Sequence, residues 1–124
     1  MPKQVIFSEK APAALGPYSQ AIRVQDTLYV SGQIALAEST EGDIKAEAHK
    51  VMENIGHILH AAGLDYTHVV KASIFLKNMD DFAEVNEVYG SYFTQNPPAR
   101  ETVQVAKLPR DVNVEISVIA HTLA

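Results

Sequence analysis

An α+β fold, a mixed β-sheet with two helices packed on one face, is the class that the sequence predicts. Three observations lead there. Apolar patterning changes period along the chain in the order strand, strand, helix, strand, helix, strand, strand. Both helical segments carry one apolar stripe, so each can cover one face only. The last strand segment alternates cleanly, with Val112, Val114, Ile116, Val118 and Ala120 on one face and Asn113, Glu115, Ser117, Ile119 and His121 on the other.

The chain of 124 residues is long enough for one domain, 1–124, and too short for two. Hydrophobic residues make up 47% and charged residues 20%, which argues for a folded core rather than disorder. Cysteine is absent, so disulfides, thiol nucleophiles and zinc-thiolate sites are excluded together. Net charge is −5, with no basic run, so no nucleic-acid partner is expected. No apolar signal core follows Met1-Pro2-Lys3-Gln4, and no segment approaches the ~20 apolar residues that span a bilayer. A cytoplasmic protein without a membrane partner is the expectation.

In chain order, Val5, Ile6 and Phe7 suit a short edge strand, and Ala11 to Gly16 a loop. Pro17 stiffens the turn that presents Tyr18, whose hydroxyl is either a donor to a ligand or the polar tip of a core ring. Thr27 to Gln33 alternates, with Leu28, Val30 and Gly32 on one side. Gly32 inside a strand marks a bulge or a close approach of backbone or ligand. Asp43 caps a helix whose apolar face is Ile44, Ala48, Val51, Met52, Ile55, Ile58, Leu59 and Ala62, and Gly63 ends it. Val69 to Leu76 is the next strand, with Val70, Ala72, Ile74 and Leu76 inward. Asp80 and Asp81 start a second helix with Asp81 and Glu84 at capping-box spacing. Its buried stripe is Phe82, Val85, Tyr89 and Tyr92, and Asn86 either faces solvent or hydrogen-bonds at a site. Asn96-Pro97-Pro98 then halts the chain before a strand that opens on Arg100, and a turn over Lys107 to Asp111 leads into the last strand.

Two residues stand out for chemistry. Arg100 is held by strand backbone, and a guanidinium grips a carboxylate through two parallel hydrogen bonds, so a small acid is its natural ligand; the alternative is a solubilising surface arginine. Glu115 lies mid-strand, where β-propensity disfavours a carboxylate. It is either on a solvated face or a general acid/base facing a pocket. Glu53, His57 and His60 share one helix face at i, i+4 and i+7. With no further ligand and no His-Glu-x-x-His pattern, no metal is assigned to them.

Several blocks in order resemble the Rid family, the YjgF-type enamine/imine deaminases, over nearly the whole chain. They are Ala11-Pro12-Ala13-Ala14-Leu15-Gly16-Pro17-Tyr18-Ser19-Gln20-Ala21-Ile22, Ser31-Gly32-Gln33-Ile34, Ala61-Ala62-Gly63-Leu64, Val70-Lys71, Phe75-Leu76, Asp81-Phe82, Val85-Asn86, Pro98-Ala99-Arg100 and Val114-Glu115-Ile116. The resemblance implies a chorismate-mutase-like fold of the bacillus type, a homotrimer with inter-subunit clefts, and no cofactor. It implies hydrolysis of 2-imino acids such as 2-iminopropanoate and 2-iminobutanoate to 2-oxo acids and ammonia. Carried over by residue, Arg100 binds the substrate carboxylate with the Thr102 N–H. Glu115 activates water and moves a proton, the Gly32 carbonyl holds that water, Tyr18 bonds the reacting end, and Asn86 is a polar support. The chain departs from the family pattern at Glu101, usually small, and Thr102, often cysteine. Relatives have also been assigned non-enzymatic roles, so a trimer that binds 2-oxo acids or acts like a chaperone is the alternative reading. A ribonuclease, an activity also attributed to relatives, is a third, against which the acidic charge argues.

Overall fold

Alternating and helical apolar patterns resolve into six strands and two α-helices in the computed structural model, which describes residues 2–124. The strands are β1 (Gln4–Ile6), β2 (Ala21–Val24), β3 (Thr27–Gln33), β4 (Val69–Leu76), β5 (Ala99–Gln104) and β6 (Val114–His121). The helices are α1 (Ile44–Ala61) and α2 (Phe82–Gly90). All strands join one sheet in the order β1-β2-β3-β6-β4-β5. The β4–β5 pair is parallel and the others antiparallel, so the sheet is mixed. Helix α2 makes the crossover that a parallel pair requires.

Both helices cover one sheet face. Val51, Met52, Ile55, Ile58 and Leu59 of α1 are fully buried against Leu28, Ile74, Ile116 and Val118. Asp43 caps α1 as expected, accepting from the Ala46 N–H at 3.1 Å. At its other end, Gly63 N–H bonds the His60 carbonyl and Leu64 N–H the Leu59 carbonyl, with Gly63 at φ 76°. The apolar face of β6 is inward throughout, with Val112 leading into it.

Three local expectations give way, and one strand, β2, is additional to the five that the patterning predicts. Strand β2 carries no clear alternation and pairs with β3 through a two-residue turn in which Gln25 takes φ 53°. A register shift between Val30 and Gln33 turns Gly32 away from the Leu28 face and drives Gln33 into the interior. A second shift, between Val69 and Lys71, buries Val69 and exposes Val70. The Asp81–Glu84 box does not form: Asn78 caps a 3₁₀ turn over Met79–Asp81 instead, accepting from Asp80 N–H at 2.9 Å.

Candidate active site

Cross-strand neighbours share a face of the sheet, so the pairing register sorts the candidate residues. Arg100 pairs with Ala72 and Thr102 with Ile74, both wholly buried under the helices. Glu115 pairs with Phe75 on the opposite, uncovered face. Within one protomer, therefore, Arg100 and Glu115 look out from opposite sides of the sheet.

The first group assembles around Glu115. A cavity of ≈ 510 Å³ is lined by Leu15, Gly16, Pro17, Tyr18, Ser31, Gly32, Ile34, Pro109 and Glu115. Its walls are largely apolar, and burial raises the Glu115 carboxyl above its ordinary 4.5; no charged neighbour contributes. The bulge sets Gly32 against this carboxylate so closely that a Cβ would overlap it, lying 2.8 Å from Cδ. Gly32 is thus needed for space rather than for a left-handed φ: the bulge expected of it is present, and what approaches closely is the Glu115 side chain rather than backbone or ligand. Tyr18 is half-exposed at the cavity mouth, its hydroxyl accepting from Leu15 N–H at 3.1 Å.

The second group assembles around Arg100. Its Nη1 donates to Asn86 Oδ1 at 2.7 Å. The guanidinium lies 5.1 Å from the centre of the Tyr89 ring and 5.7 Å from that of Phe82. Asn86 therefore does not simply face solvent. A second cavity, of ≈ 430 Å³, is lined by Asn86, Tyr89, Gly90, Phe93, Pro97, Pro98 and Arg100. Strand β5 is the edge of the sheet. Val105 N–H bonds the Leu76 carbonyl of β4 at 3.0 Å, so alternation directs the Thr102 N–H the other way, to the free edge. A carboxylate at that edge meets a guanidinium and an unpaired backbone donor, whatever side chain residue 102 carries. Glu101 points to the other face, where it takes a hydrogen bond from Ser73 and a salt bridge from Lys71 at 3.0 Å. Its carboxyl is held below its ordinary value by those two neighbours and stays out of the Arg100 cavity.

Tyr89, Ser31 and Pro109 are site-lining residues that sequence reasoning did not single out; Tyr89 was legible only as a core position. His57 and His60 border a shallow groove with Phe7 to Lys10. Among the described residues, no three His, Asp or Glu side chains are grouped to hold a metal ion. Nor is any helix long and apolar enough to cross a membrane.

A mixed sheet under two helices, with an exposed arginine on one face and a part-buried carboxylate beside a cavity on the other, defines an α+β protein with two candidate half-sites. The chain belongs to the Rid (YjgF-type) family: residues 8–122 match the family model described as Endoribonuclease L-PSP. It is 52% identical to protein DfrA of Myxococcus xanthus, over 97% of this chain and 96% of that one. It is 48% identical to the 2-iminobutanoate/2-iminopropanoate deaminase of Mus musculus, over 95% of this chain and 90% of that one. Among solved structures, RidA from the Antarctic bacterium Psychrobacter superposes with a TM-score of 0.88 at 44% identity, covering 95% of this chain and 98% of that one. The fold is accordingly the chorismate-mutase-like one of that family.

Proposed function

We propose that this chain is a 2-imino acid deaminase that hydrolyses 2-iminobutanoate and 2-iminopropanoate to 2-oxo acids and ammonia. The observation that carries the reading is the half-buried Glu115, with its proton affinity raised by apolar surroundings, facing a cavity of substrate size. Relatives 46–48% identical over 95% of this chain bear the name of that activity.

The two groups of residues divide the work. Arg100, steadied by Asn86, takes the substrate carboxylate together with the Thr102 N–H. Ionised Glu115 accepts a proton from water as the water oxygen bonds to the imine carbon and the C=N π pair moves to nitrogen. Glu115 passes that proton to nitrogen to give the carbinolamine. The hydroxyl proton then moves by way of Glu115 to nitrogen as the C–N bond breaks, the bonding pair leaves with ammonia and the carbonyl forms, so one imine and one water give one 2-oxo acid and one ammonia. The Gly32 carbonyl orients the water, and Tyr18 holds the nitrogen end. Orientation and one proton relay suffice because a protonated imine is already electrophilic.

Since Arg100 and Glu115 face opposite sides of one sheet, a complete cleft takes the Arg100 group from one protomer and the Glu115 group from another. A homotrimer with three such clefts closes this arrangement, and the half-exposed Tyr29 and the Phe75 and Ile119 side chains of the uncovered face supply apolar surface for it. The test generates 2-iminobutanoate with a threonine dehydratase and traps what survives with semicarbazide. Wild-type protein shortens the imine lifetime; Arg100→Ala, still folded, does not, with kcat/KM lower by roughly 100-fold or more for loss of charge-assisted bonds. Tight binding of 2-oxobutanoate without imine turnover would overturn the enzyme reading in favour of a binding module.

A further inference from the structure

The loop that carries Tyr18 has almost no backbone bonding of its own. Residues 9–19 form neither strand nor helix, and residues 12–18 are exposed. The loop's own backbone bonds are Ala11 N–H to the Ser8 carbonyl at 3.4 Å and Tyr18 N–H to the Gly16 carbonyl at 2.8 Å. Such a segment is expected to open easily.

One buried side chain ties it down. Gln20, only 3% exposed, lies at the start of the sheet, beside Ala21 of β2. Its Oε1 accepts from Ser8 N–H at 2.7 Å. Its Nε2 donates to the Pro12 carbonyl at 2.9 Å, the Ser8 carbonyl at 3.2 Å and the Ala11 carbonyl at 3.4 Å. One amide thus serves four backbone groups at the loop's root. The far end is pinned from β3, where Ser31 Oγ donates to the Ser19 carbonyl at 2.6 Å and Ser31 N–H to the Gln20 carbonyl at 2.9 Å. Ser31 and Gly32 are the bulge residues beside Glu115, so the clip and the proton-accepting carboxylate share one structural base.

We infer that Gln20 is a positioning residue for catalysis: its amide holds the 11–18 loop so that Tyr18 closes over the Glu115 cavity. The inference rests on the deaminase reading for Tyr18's task, but the loop clip itself does not. Gln20→Met keeps side-chain length and removes both polar ends. Gln20→Glu keeps the acceptor for Ser8 N–H and places a second acceptor against the Ala11 and Pro12 carbonyls, freeing those residues selectively.

Two measurements test it. In imine hydrolysis, each variant lowers kcat roughly 10-fold or more, with a smaller change in KM. In a Tyr18→Phe background the same substitutions lower kcat less than about threefold, because residues acting as one unit are not additive. Equal losses in both backgrounds would overturn the inference. Independently of activity, trypsin leaves the Lys10–Ala11 bond of the wild type intact under native conditions, since Ala11 is buried. Gln20→Met and Gln20→Glu are nicked there while the bonds after Lys50, inside α1, and Lys71, inside β4, stay resistant. Unchanged resistance at Lys10, or equal cleavage everywhere, would overturn the clip. Selective nicking in a protein whose wild type has no imine activity would sustain the clip and reject the deaminase reading.

Discussion

Replacing Gly32 by alanine separates the site from the fold. A Cβ at this position would stand 2.8 Å from Glu115 Cδ and 3.0 Å from Cγ, with the carboxylate oxygen closer still. Carbon–carbon contact is comfortable from about 3.5 Å, and the nearer carboxylate oxygen has furthest to move, so the end of the Glu115 side chain must retreat by roughly 1 Å or more. The obstacle is the far end of a flexible side chain, and an off-rotamer χ costs about 0.5–1.5 kcal/mol. Alanine in place of glycine in a strand returns about 0.5–1 kcal/mol through lower chain entropy. The two nearly cancel, so Tm moves by no more than about 5 °C. Catalysis has no such compensation: a base displaced by about 1 Å loses roughly 100-fold in kcat. The assays are thermal unfolding and semicarbazide-trapped imine lifetime on the same preparation. A folded Gly32→Ala protein with kcat within about twofold of wild type would refute the role given to the Gly32–Glu115 contact.

Other substitutions report on single physical terms. Glu115→Gln lowers kcat by roughly 100-fold or more for loss of the proton relay, and a pH–rate profile of the wild type shows its acid limb above 4.5, because burial raises this carboxyl. The same residue affects stability with a definite sign. Its folded-state pKa exceeds the unfolded one, so the folded form binds the proton more tightly and wild-type stability falls as pH rises through that window. Glu115→Gln therefore unfolds at a higher temperature than wild type at pH 7, and the gap narrows below pH 4.5 in a pH series of melts. Gly63→Ala forces a side chain into φ 76° at the end of α1 and lowers unfolding free energy by about 1 kcal/mol in urea, leaving kcat unchanged.

The parts of this fold legible in the sequence are those whose signal is local. The stripe of α1, its Asp43 cap and its Gly63 end are written within one segment, as is the alternation of β6. What partners decide was hidden. Strand β2 has four residues, one of them Arg23, and its turn uses Gln25 in a left-handed conformation with no Asn-Gly or Asp-Gly to announce it. The bulges at Ser31–Gly32 and Val69–Lys71 depend on the register with β6 and reverse the faces that strict alternation assigns. For the site, Arg100 and Glu115 are suggested by residue type and strand position. That they face opposite sides of the sheet follows only from the β5-β4-β6 order. Asn86 pairs with Arg100 across α2 and β5, a contact with no local trace. Gln20 shows no pattern in sequence, because its partners are backbone groups.

In the proposed cleft, Arg100 of one protomer and Glu115 of another act on the same imino acid. Arg100→Ala and Glu115→Gln proteins, each inactive, would be unfolded together in equal amounts, refolded and assayed for 2-iminobutanoate hydrolysis. Random assembly gives about a quarter of the clefts both native groups, so activity returns to about a quarter of wild type. Activity no greater than that of the two variants refolded separately would contradict the shared cleft and the mechanism built on it.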